Sequence, residues 1–351
     1  MHLVDSNLRL APSDLSEFLS CRHRTGLDLA VAAKALDRPH RHDPMADALR
    51  KRGAEHERAY VASLRAKGLQ VVEIDQEPPP DAGIARTLDA MRSGADVIVQ
   101  AALSSHGADT SRGWWFGYAD VLQRVPVESD LGDWSYEPYD AKLARETRGG
   151  TILQLAVYAD LLEHVQRTRP TQFWVVSPGR DGAPFTVTPY RDADYSAYVR
   201  LVRRQLGATL ALGHEGIQTT HYPEPVEHCE VCRWWDRCNR RRRRDDHLGF
   251  IAGIGRVHRD ELVAQGFPTL ADAATRMWPI AFTLRRGSRE TYERIHHQAR
   301  LQLEQRQERR PVHELLPVVE GQGLTRLPAP SPGDLFLDLE GARFAREGGR
   351  E

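Results

Sequence analysis

The four cysteines of this chain constrain its fold more than any other feature. Three of them form a C-x2-C-x5-C run, made of Cys229, Cys232 and Cys238, and the fourth, Cys21, lies about 200 residues upstream. Three thiolates leave one position open on a four-coordinate metal centre, which Cys21 can fill. Two disulfides and four unliganded thiols are the alternatives. The pattern therefore predicts a metal centre that ties the two ends of a domain together.

Length and charge set looser limits on the protein. The 351 residues suffice for two domains, or for one large domain with an appended module. The formal net charge is −1, yet the five consecutive arginines of Arg240–Arg244 come directly after the cysteine run. A polyanionic partner would therefore meet a local basic patch and not the whole surface.

The N-terminal residues give an expectation about location. Residues 1–19 contain neither the apolar core of a signal peptide nor an apolar run long enough to cross a membrane. We therefore expect a cytoplasmic protein without membrane association. In that reducing compartment, cysteines favour metal binding over disulfides.

Hydrophobic periodicity predicts an α/β fold with one mixed central sheet flanked by helices. Three consecutive strand patterns in the middle of the chain favour an antiparallel meander. A helix cap is expected at Ser13. The expected helices cover residues 12–34, 45–67, 83–93, 150–167 and 191–212. The expected strands cover residues 69–74, 96–103, 114–122, 134–142 and 172–176.

Two carboxylates and an ammonium group are expected on neighbouring strands of this meander. Asp120 lies on one strand, and Asp140 and Lys142 share one face of the next because they are two residues apart. Such oxygen ligands suit Mg²⁺ or Mn²⁺, and a Lewis-acid metal that activates water serves phosphodiester hydrolysis. A surface ion pair on a hairpin is the alternative explanation.

Three further residues strengthen the metal-site hypothesis. His56, on the helix before the meander, can complete the shell of the metal. Gln154 and Tyr158 stand about one turn apart on the helix after Lys142 and face the same way, so that both can contact a phosphate or a base. The order of these residues along the chain is more informative than any one of them.

Residues 1–245 contain five features, with Cys21 before the other four and the remaining three cysteines after them. They are Gly53-x2-His56, Gly117-Tyr118-Ala119-Asp120, Asp140-Ala141-Lys142, Gln154-x3-Tyr158 and the four cysteines. In this order they resemble the RecB-like branch of the PD-(D/E)xK nucleases. Its iron–sulfur members, which include CRISPR-associated RecB-like nucleases and the AddB subunit, also carry one cysteine before the nuclease core and a C-x2-C-x5-C run after it.

The resemblance implies a restriction-endonuclease-like core, residues 1–245, and assigns roles within it. His56, Asp120 and Asp140, with the backbone carbonyl of Ala141, would bind Mg²⁺ or Mn²⁺, and Lys142 would assist the attacking water. Asp140 is shorter than the glutamate that many members have. The four cysteines would hold a 4Fe–4S cluster, although their spacing fits Zn²⁺ equally well. Either centre closes a loop of about 200 residues, which contributes about 5 kcal/mol in the chain-entropy model.

The C-terminal part is expected to form a small helical module, residues 246–320, followed by a tail, residues 321–351. Gly253-Ile254-Gly255 resembles the hairpin of helix–hairpin–helix modules, whose exposed backbone N–H groups bind phosphate without reading sequence. A packing turn is the alternative for this hairpin. Residues 289–309 indicate a charged, mostly solvated helix, and residues 321–333 indicate a linker.

The end of the tail carries a second acidic pattern. Residues 334–341 are predicted to form a strand with Asp338 and Glu340 on one face. This segment resembles the first motif of RNase H-like exonucleases. Because only 11 residues follow Glu340, we expect its partner carboxylates in a longer chain or in a separate protein.

The sequence supports two functional hypotheses. The first is a metal-dependent deoxyribonuclease that acts on single strands or duplex ends in DNA repair, recombination or defence, with a helicase or an RNase H-like exonuclease as partner. The second is a DNA-binding iron–sulfur module that serves a larger helicase–nuclease complex without catalysis of its own. The complete set of motif residues favours the enzyme.

Overall fold

The computed structural model describes residues 1–4, 7–76, 80–105, 114–179 and 182–338, and the chain divides into two units, Met1–Trp235 and Asp236–Glu351. The first unit is an α/β structure with a mixed sheet flanked by helices, which confirms the predicted class. The second unit is helical. The restriction-endonuclease-like core and the domain limits at residues 245 and 320 stay predictions.

Among the described residues, eight strands form the sheet of the first unit. They are β1 (His2–Val4), β2 (Asn7–Leu10), β3 (Val71–Glu73), β4 (Val97–Ser104), β5 (Trp114–Val125), β6 (Ser135–Ala141), β7 (Gln172–Pro178) and β8 (Phe185–Arg191). The antiparallel order β4–β5–β6 confirms the predicted meander. Strand β7 is parallel to β6, and β8 is antiparallel to β7. Strands β1 and β2 form an antiparallel pair that joins the start of β5 through β2, and neither this pair nor β8 is predicted from the sequence.

Helices cover both faces of this sheet. They are α1 (Pro12–Ser20), α2 (Arg22–Ala32), α3 (Pro44–Ala66), α4 (Pro80–Arg92), α5 (Gly149–Gln166), α6 (Asp192–Leu210) and α7 (Gly213–Thr220). Side chains of α1, α4, α5 and α6 share the larger core with Ile98 and Leu122 of the sheet. Helix α3 packs on the opposite face, because Val97 and Val99 alternate with Ile98 along β4.

Local chemistry explains why α3 begins where it does. Pro44 stands at its first position, where its missing N–H costs nothing. The carboxylate of Asp43 accepts the backbone N–H groups of Met45 and Ala46 at 3.0 and 3.1 Å. The helix then runs without a break to the residues that approach the candidate site.

The helix predicted over residues 12–34 is wrong, because two helices meet at Cys21. Cys21 has an extended backbone, with φ −164° and ψ 109°, which ends α1 and precedes α2. The predicted cap at Ser13 is also wrong. Asp14 caps the helix instead, accepting the backbone N–H of Ala11 at 2.7 Å and the terminal ammonium of Met1 at 2.9 Å. No proline or glycine marks the break, so the helical periodicity continues through it.

Strand β4 changes face at Gln100. Val99 packs beneath α3, whereas Ala101, two residues on and expected on the same face, belongs to the larger core. Gln100 has φ +52°, in the left-handed region that non-glycine residues rarely occupy. Strand β5 shows the same change at Asp120, which lies opposite Gln100 in the register of the two strands.

The second unit has its own core. Its elements are α8 (Trp235–Arg244), α9 (Arg256–Ala264), α10 (Leu270–Thr275), α11 (Arg289–Glu308) and the 3-10 helices Leu248–Phe250 and Gly323–Arg326. The first of these 3-10 helices and α9 flank the predicted hairpin. The charged helix predicted over residues 289–309 is present as α11, in which Tyr292, Ile295 and Ala299 are buried at helical spacing and pack into the core of this unit.

The tail does not contain the predicted strand in its described part. Residues 334–338 have no strand pairing and are exposed, with Phe336 98% exposed. A strand needs a neighbour for its backbone groups, and none of the described residues pairs with this segment. Asp338 falls in this part, whereas Glu340 lies outside the described residues. Residues 321–333 are exposed, as a linker would be.

Candidate active site

The structure brings Asp120, Asp140 and Lys142 together. Asp120 lies on β5, Asp140 lies on the neighbouring β6, and Lys142 follows the last residue of β6. Lys142 Nζ is 2.7 Å from Asp140 Oδ1 and 3.8 Å from Asp120 Oδ2. Asp120 Oδ2 also accepts the backbone N–H of Ala141 at 3.2 Å. Two carboxylates and one ammonium group therefore share a single cluster.

Asp140 is the most constrained member of this cluster. Its side chain is 2% exposed, and in the described part of the chain its Oδ2 has no hydrogen-bond partner. Burial, followed by the charge of Asp120, raises the pKa of Asp140 to about 8, against the opposing effect of Lys142. Burial alone would lower the pKa of Lys142, but the two carboxylates outweigh it and raise that pKa. A proton or a cation is what can satisfy the unpaired oxygen.

His56 reaches the same region from α3. Its Nε2 lies 3.1 Å from the backbone carbonyl oxygen of Val176, which also accepts the backbone N–H of Lys142 at 2.9 Å. Because a carbonyl oxygen only accepts, Nε2 carries the proton and Nδ1 is the basic nitrogen. His56 therefore stands next to the cluster, with one ring nitrogen occupied by the backbone of β7.

Glu57 and Gln100 belong to this region but are not predicted from the sequence. The pKa of Glu57 is raised by burial and then by the charge of Asp120, while a hydrogen bond from Gln100 and the charge of Lys142 lower it. The signal for Glu57 is its place directly after His56. Helical periodicity does not tell which of two consecutive side chains faces the sheet, and no sequence pattern marks Gln100.

Tyr158 acts on the backbone of the site. Its hydroxyl donates to the carbonyl oxygen of Tyr118 at 2.6 Å, two residues before Asp120, and its ring is 4% exposed. Burial raises the pKa of this hydroxyl, which therefore stays protonated. Gly117 permits the contact, because a Cβ there would lie 2.9 Å from Tyr158 Oη and 2.8 Å from Pro12 Cδ.

Gln154 lies one turn before Tyr158, and its side chain lowers the pKa of the Tyr158 hydroxyl against the larger effect of burial. It also lines an open cavity of about 470 Å³ at the start of α5. The other side chains of this cavity include Arg148, Ser16, Ser20 and Thr151. A cation, several hydroxyls and an amide therefore border Gln154.

Three of the four cysteines lie close together in the first unit. Cys21 separates α1 from α2, Cys229 belongs to the 3-10 helix Glu227–Glu230, and Cys232 follows three residues later. Burial raises the pKa of Cys21, and nearby Cys229 and Cys232 add to the rise. The backbone N–H of Val226 donates to Cys229 Sγ at 3.5 Å. Cys238 lies on α8, at the start of the second unit.

A buried network joins α2 to the segment that carries Cys229 and Cys232. Arg24 pairs with Asp28 at 3.0 Å and with Glu17 at 2.6 Å, and its guanidinium lies 2.7 Å from His228 Nε2. Asp28 also accepts the indole N–H of Trp234 at 2.9 Å. These contacts hold α2 next to the segment that carries Cys229 and Cys232.

The predicted hairpin is present in the second unit. Gly253 has φ +77°, which favours glycine, and a Cβ there would meet no atom within 4 Å. Gly255 is the residue before α9, and no side chain caps that helix. The turn therefore leaves open space around Gly253 and backbone N–H groups at the helix start.

The arginine run is less uniform than its sequence suggests. Arg242 is 3% exposed, and the guanidinium of Arg243 lies 4.7 Å from the ring centre of Phe250. Arg241 and Arg244 each approach Asp245, at 3.7 and 3.4 Å. The run therefore supplies packing and ion pairs as well as positive charge.

The oxygen atoms around Asp140 fit a hard divalent cation. The unpaired Asp140 Oδ2 and the adjacent Asp120 are ligands of the kind that Mg²⁺ and Mn²⁺ prefer. Mg²⁺ commonly binds one or two carboxylates and retains several waters. No group of three histidine, cysteine, aspartate or glutamate side chains within the described ranges is arranged to hold a metal ion. Two carboxylates, and not a closed cage, are therefore what the site offers.

No protein-family model matches the chain, and no curated protein is significantly similar to it. Within the residues that the structure describes, no helix has the length and apolar character needed to span a membrane.

Proposed function

We propose that the first unit is a divalent-metal-dependent DNA nuclease with a restriction-endonuclease-like, RecB-like core. The observation that carries this proposal is Asp140, a buried carboxylate with one unpaired oxygen beside Asp120 and Lys142. A stability role alone would favour a side chain that does not titrate at such a position, because ionising a buried carboxylate is costly. A bound cation would give that oxygen a partner and would explain why the two carboxylates are grouped beside Lys142.

Each residue has a proposed role. Bound Mg²⁺ or Mn²⁺ supplies a Lewis acid that polarises the scissile phosphate. Asp120 and Asp140 would hold it together with the Ala141 carbonyl, and His56 Nδ1 would accept a hydrogen bond from a water that the ion retains. Lys142, already paired with Asp140 at 2.7 Å, is placed to orient the attacking water and to offset the charge that develops.

A nucleic-acid backbone suits the surroundings of this cluster. The cavity beside Gln154 offers the guanidinium of Arg148 and the hydroxyls of Ser16 and Thr151, which are donors for phosphate oxygens. Gln154 itself would contact the strand, while Tyr158 holds β5 through its bond to the Tyr118 carbonyl. Single strands or duplex ends are the proposed substrates, in DNA repair, recombination or defence.

The four cysteines are proposed to hold a 4Fe–4S cluster, with Zn²⁺ as the competing occupant. The proximity of Cys21, Cys229 and Cys232 fits thiols that lose their protons when they bind a shared metal centre. A bound cluster supplies a cross-link, and we assign it no catalytic step. Its proposed task is to fasten the segments that enclose His56, Asp120 and Asp140.

Phosphate binding at Gly253 and Gly255 is proposed for the second unit. The positive φ of Gly253 and the uncapped start of α9 leave backbone N–H groups available for it. The RNase H-like resemblance of the tail suggests a helicase or an exonuclease as partner. Phosphate contacts through Gly253 and Gly255 would be independent of base sequence.

Cleavage of labelled single-stranded DNA by the purified chain tests the proposal. Mn²⁺ or Mg²⁺ should support cleavage, EDTA should stop it, and Asp120→Ala and Lys142→Ala should each remove it. Asp89→Ala, an exposed aspartate on α4, is the matched control and should cleave like the parent. DNA that stays intact with the parent, or equal cleavage by all variants, would overturn the nuclease and favour the DNA-binding scaffold.

A further inference from the structure

Gln100 occupies a backbone conformation that folding alone would assign to glycine. It lies in the middle of β4, yet its φ is +52°. A side chain is strained in this region, whereas glycine is not. The glutamine therefore opposes the stability of the strand, which indicates a compensating role for its side chain.

The amide of Gln100 is fixed from both ends. Its Nε2 donates to the carboxylate of Glu57 on α3, and its Oε1 accepts from Gln76 Nε2. A carboxylate only accepts hydrogen bonds, so the amide nitrogen must face Glu57. Gln100 consequently fixes one carboxylate oxygen of Glu57 in place.

Gln100 and Glu57 border the candidate active site. Gln100 lies opposite Asp120 across the β4–β5 pairing, and Glu57 interacts electrostatically with both Asp120 and Lys142. Glu57, Asp120 and Asp140 together outnumber the single ammonium of Lys142. Such an excess of carboxylates is what a hard divalent cation neutralises.

We infer that Glu57 is a third carboxylate of the cation site and that Gln100 is the residue that positions it. The inference rests on the proposed metal-dependent function. Glu57 is not grouped with Asp120 and Asp140 at ligand distance within the described residues. Its contribution is therefore negative charge and a hydrogen-bond acceptor for the waters that bound Mg²⁺ or Mn²⁺ retains.

Mn²⁺ titration of the DNA-free protein, followed by calorimetry, tests the inference without any activity assay. Glu57→Gln should weaken Mn²⁺ binding about tenfold, the size expected for one charge-assisted hydrogen bond. Gln100→Gly should weaken it by a similar factor while melting at or above the temperature of the parent, because glycine relieves the strained backbone. Glu55→Gln, an exposed neighbour on the same helix, is the control and should bind Mn²⁺ like the parent.

The double variant Glu57→Gln/Gln100→Gly separates positioning from an independent effect. If Gln100 acts through Glu57, the double variant should bind Mn²⁺ as Glu57→Gln does alone. Additive losses would refute the positioning role, and parent-like binding by Glu57→Gln would refute the third carboxylate. Asp120→Asn distinguishes the two proposals. If it binds Mn²⁺ like the parent, the site itself and the inference both fail, whereas loss only in Asp120→Asn overturns the inference alone.

Discussion

Replacing Asp140 with asparagine should make the metal-free protein more stable at neutral pH and inactive. The pKa of Asp140 is raised from 3.8 to about 8 in the folded chain, so the folded state binds one more proton than the unfolded state between these values. Stability from such a group is complete below the unfolded pKa and is lost as the pH rises through the folded pKa. An asparagine side chain does not titrate, so the variant lacks this loss.

The magnitude follows from the width of that pH interval. One proton of difference changes the free energy of unfolding by about 1.4 kcal/mol per pH unit. Between pH 5 and pH 7 the parent should therefore lose about 3 kcal/mol relative to Asp140→Asn. The amide oxygen of asparagine can still accept the hydrogen bond that Lys142 Nζ donates to Asp140 Oδ1 at 2.7 Å, so the advantage of the variant grows as the pH rises from 5 toward 8.

Urea unfolding in EDTA at pH 5, 6, 7 and 8, followed by tryptophan fluorescence, measures this difference. Subtracting the unfolding free energy of the variant from that of the parent at each pH cancels the titration of all groups that the two proteins share. Addition of Mg²⁺ should flatten the pH dependence of the parent, because the ion replaces the proton, and should leave the variant unchanged. Parallel pH profiles of parent and variant in EDTA would refute the assignment of Asp140 as a buried, protonated carboxylate.

Three further changes test other parts of the molecule. Cys232→Ser should remove the metal content and any brown absorbance of anaerobically purified protein, and it should lower the melting temperature. The lost cross-link contributes about 5 kcal/mol in the chain-entropy model, and the Arg24–Asp28 ion pair stays intact in the variant. Iron in the elemental analysis of the parent would support the cluster and zinc would reject it. Gly117→Ala should cost about 1–3 kcal/mol in urea unfolding and reduce cleavage, since its Cβ would lie 2.8 Å from Pro12 Cδ; an unchanged unfolding midpoint would contradict the close packing. Gly253→Ala should weaken the affinity for duplex DNA, read by fluorescence anisotropy, without altering Mn²⁺ binding, and equal affinity would contradict the phosphate-binding hairpin.

The long, strongly patterned elements could be predicted from the sequence. The helix predicted over residues 45–67 is present as α3, Pro44–Ala66, and the β4–β5–β6 meander follows from three apolar runs. The D-x-K spacing is enough to place Asp140 beside Lys142, because two residues make one period of a strand. Local pattern and tertiary structure agree at these positions.

The remainder depends on contacts that no local pattern encodes. The break at Cys21 lies inside an uninterrupted helical periodicity and coincides with the approach of Cys229 and Cys232, about 200 residues later. The turn of β4 at Gln100 reverses the alternation from which strand faces are predicted. Local sequence patterns therefore place each candidate ligand on a helix or a strand. They do not predict the irregular backbone at Cys21 and Gln100, which sets the direction of the neighbouring side chains.

Anomalous diffraction from crystals grown with Mn²⁺ would show whether the missing partner of Asp140 Oδ2 is a divalent cation that Asp120 also binds. One strong manganese peak is expected between these carboxylates, about 2.2 Å from Asp140 Oδ2, and no such peak is expected in Asp140→Asn. Manganese found elsewhere in the parent, with Asp140 Oδ2 bonded to a protein donor or a water, would contradict it.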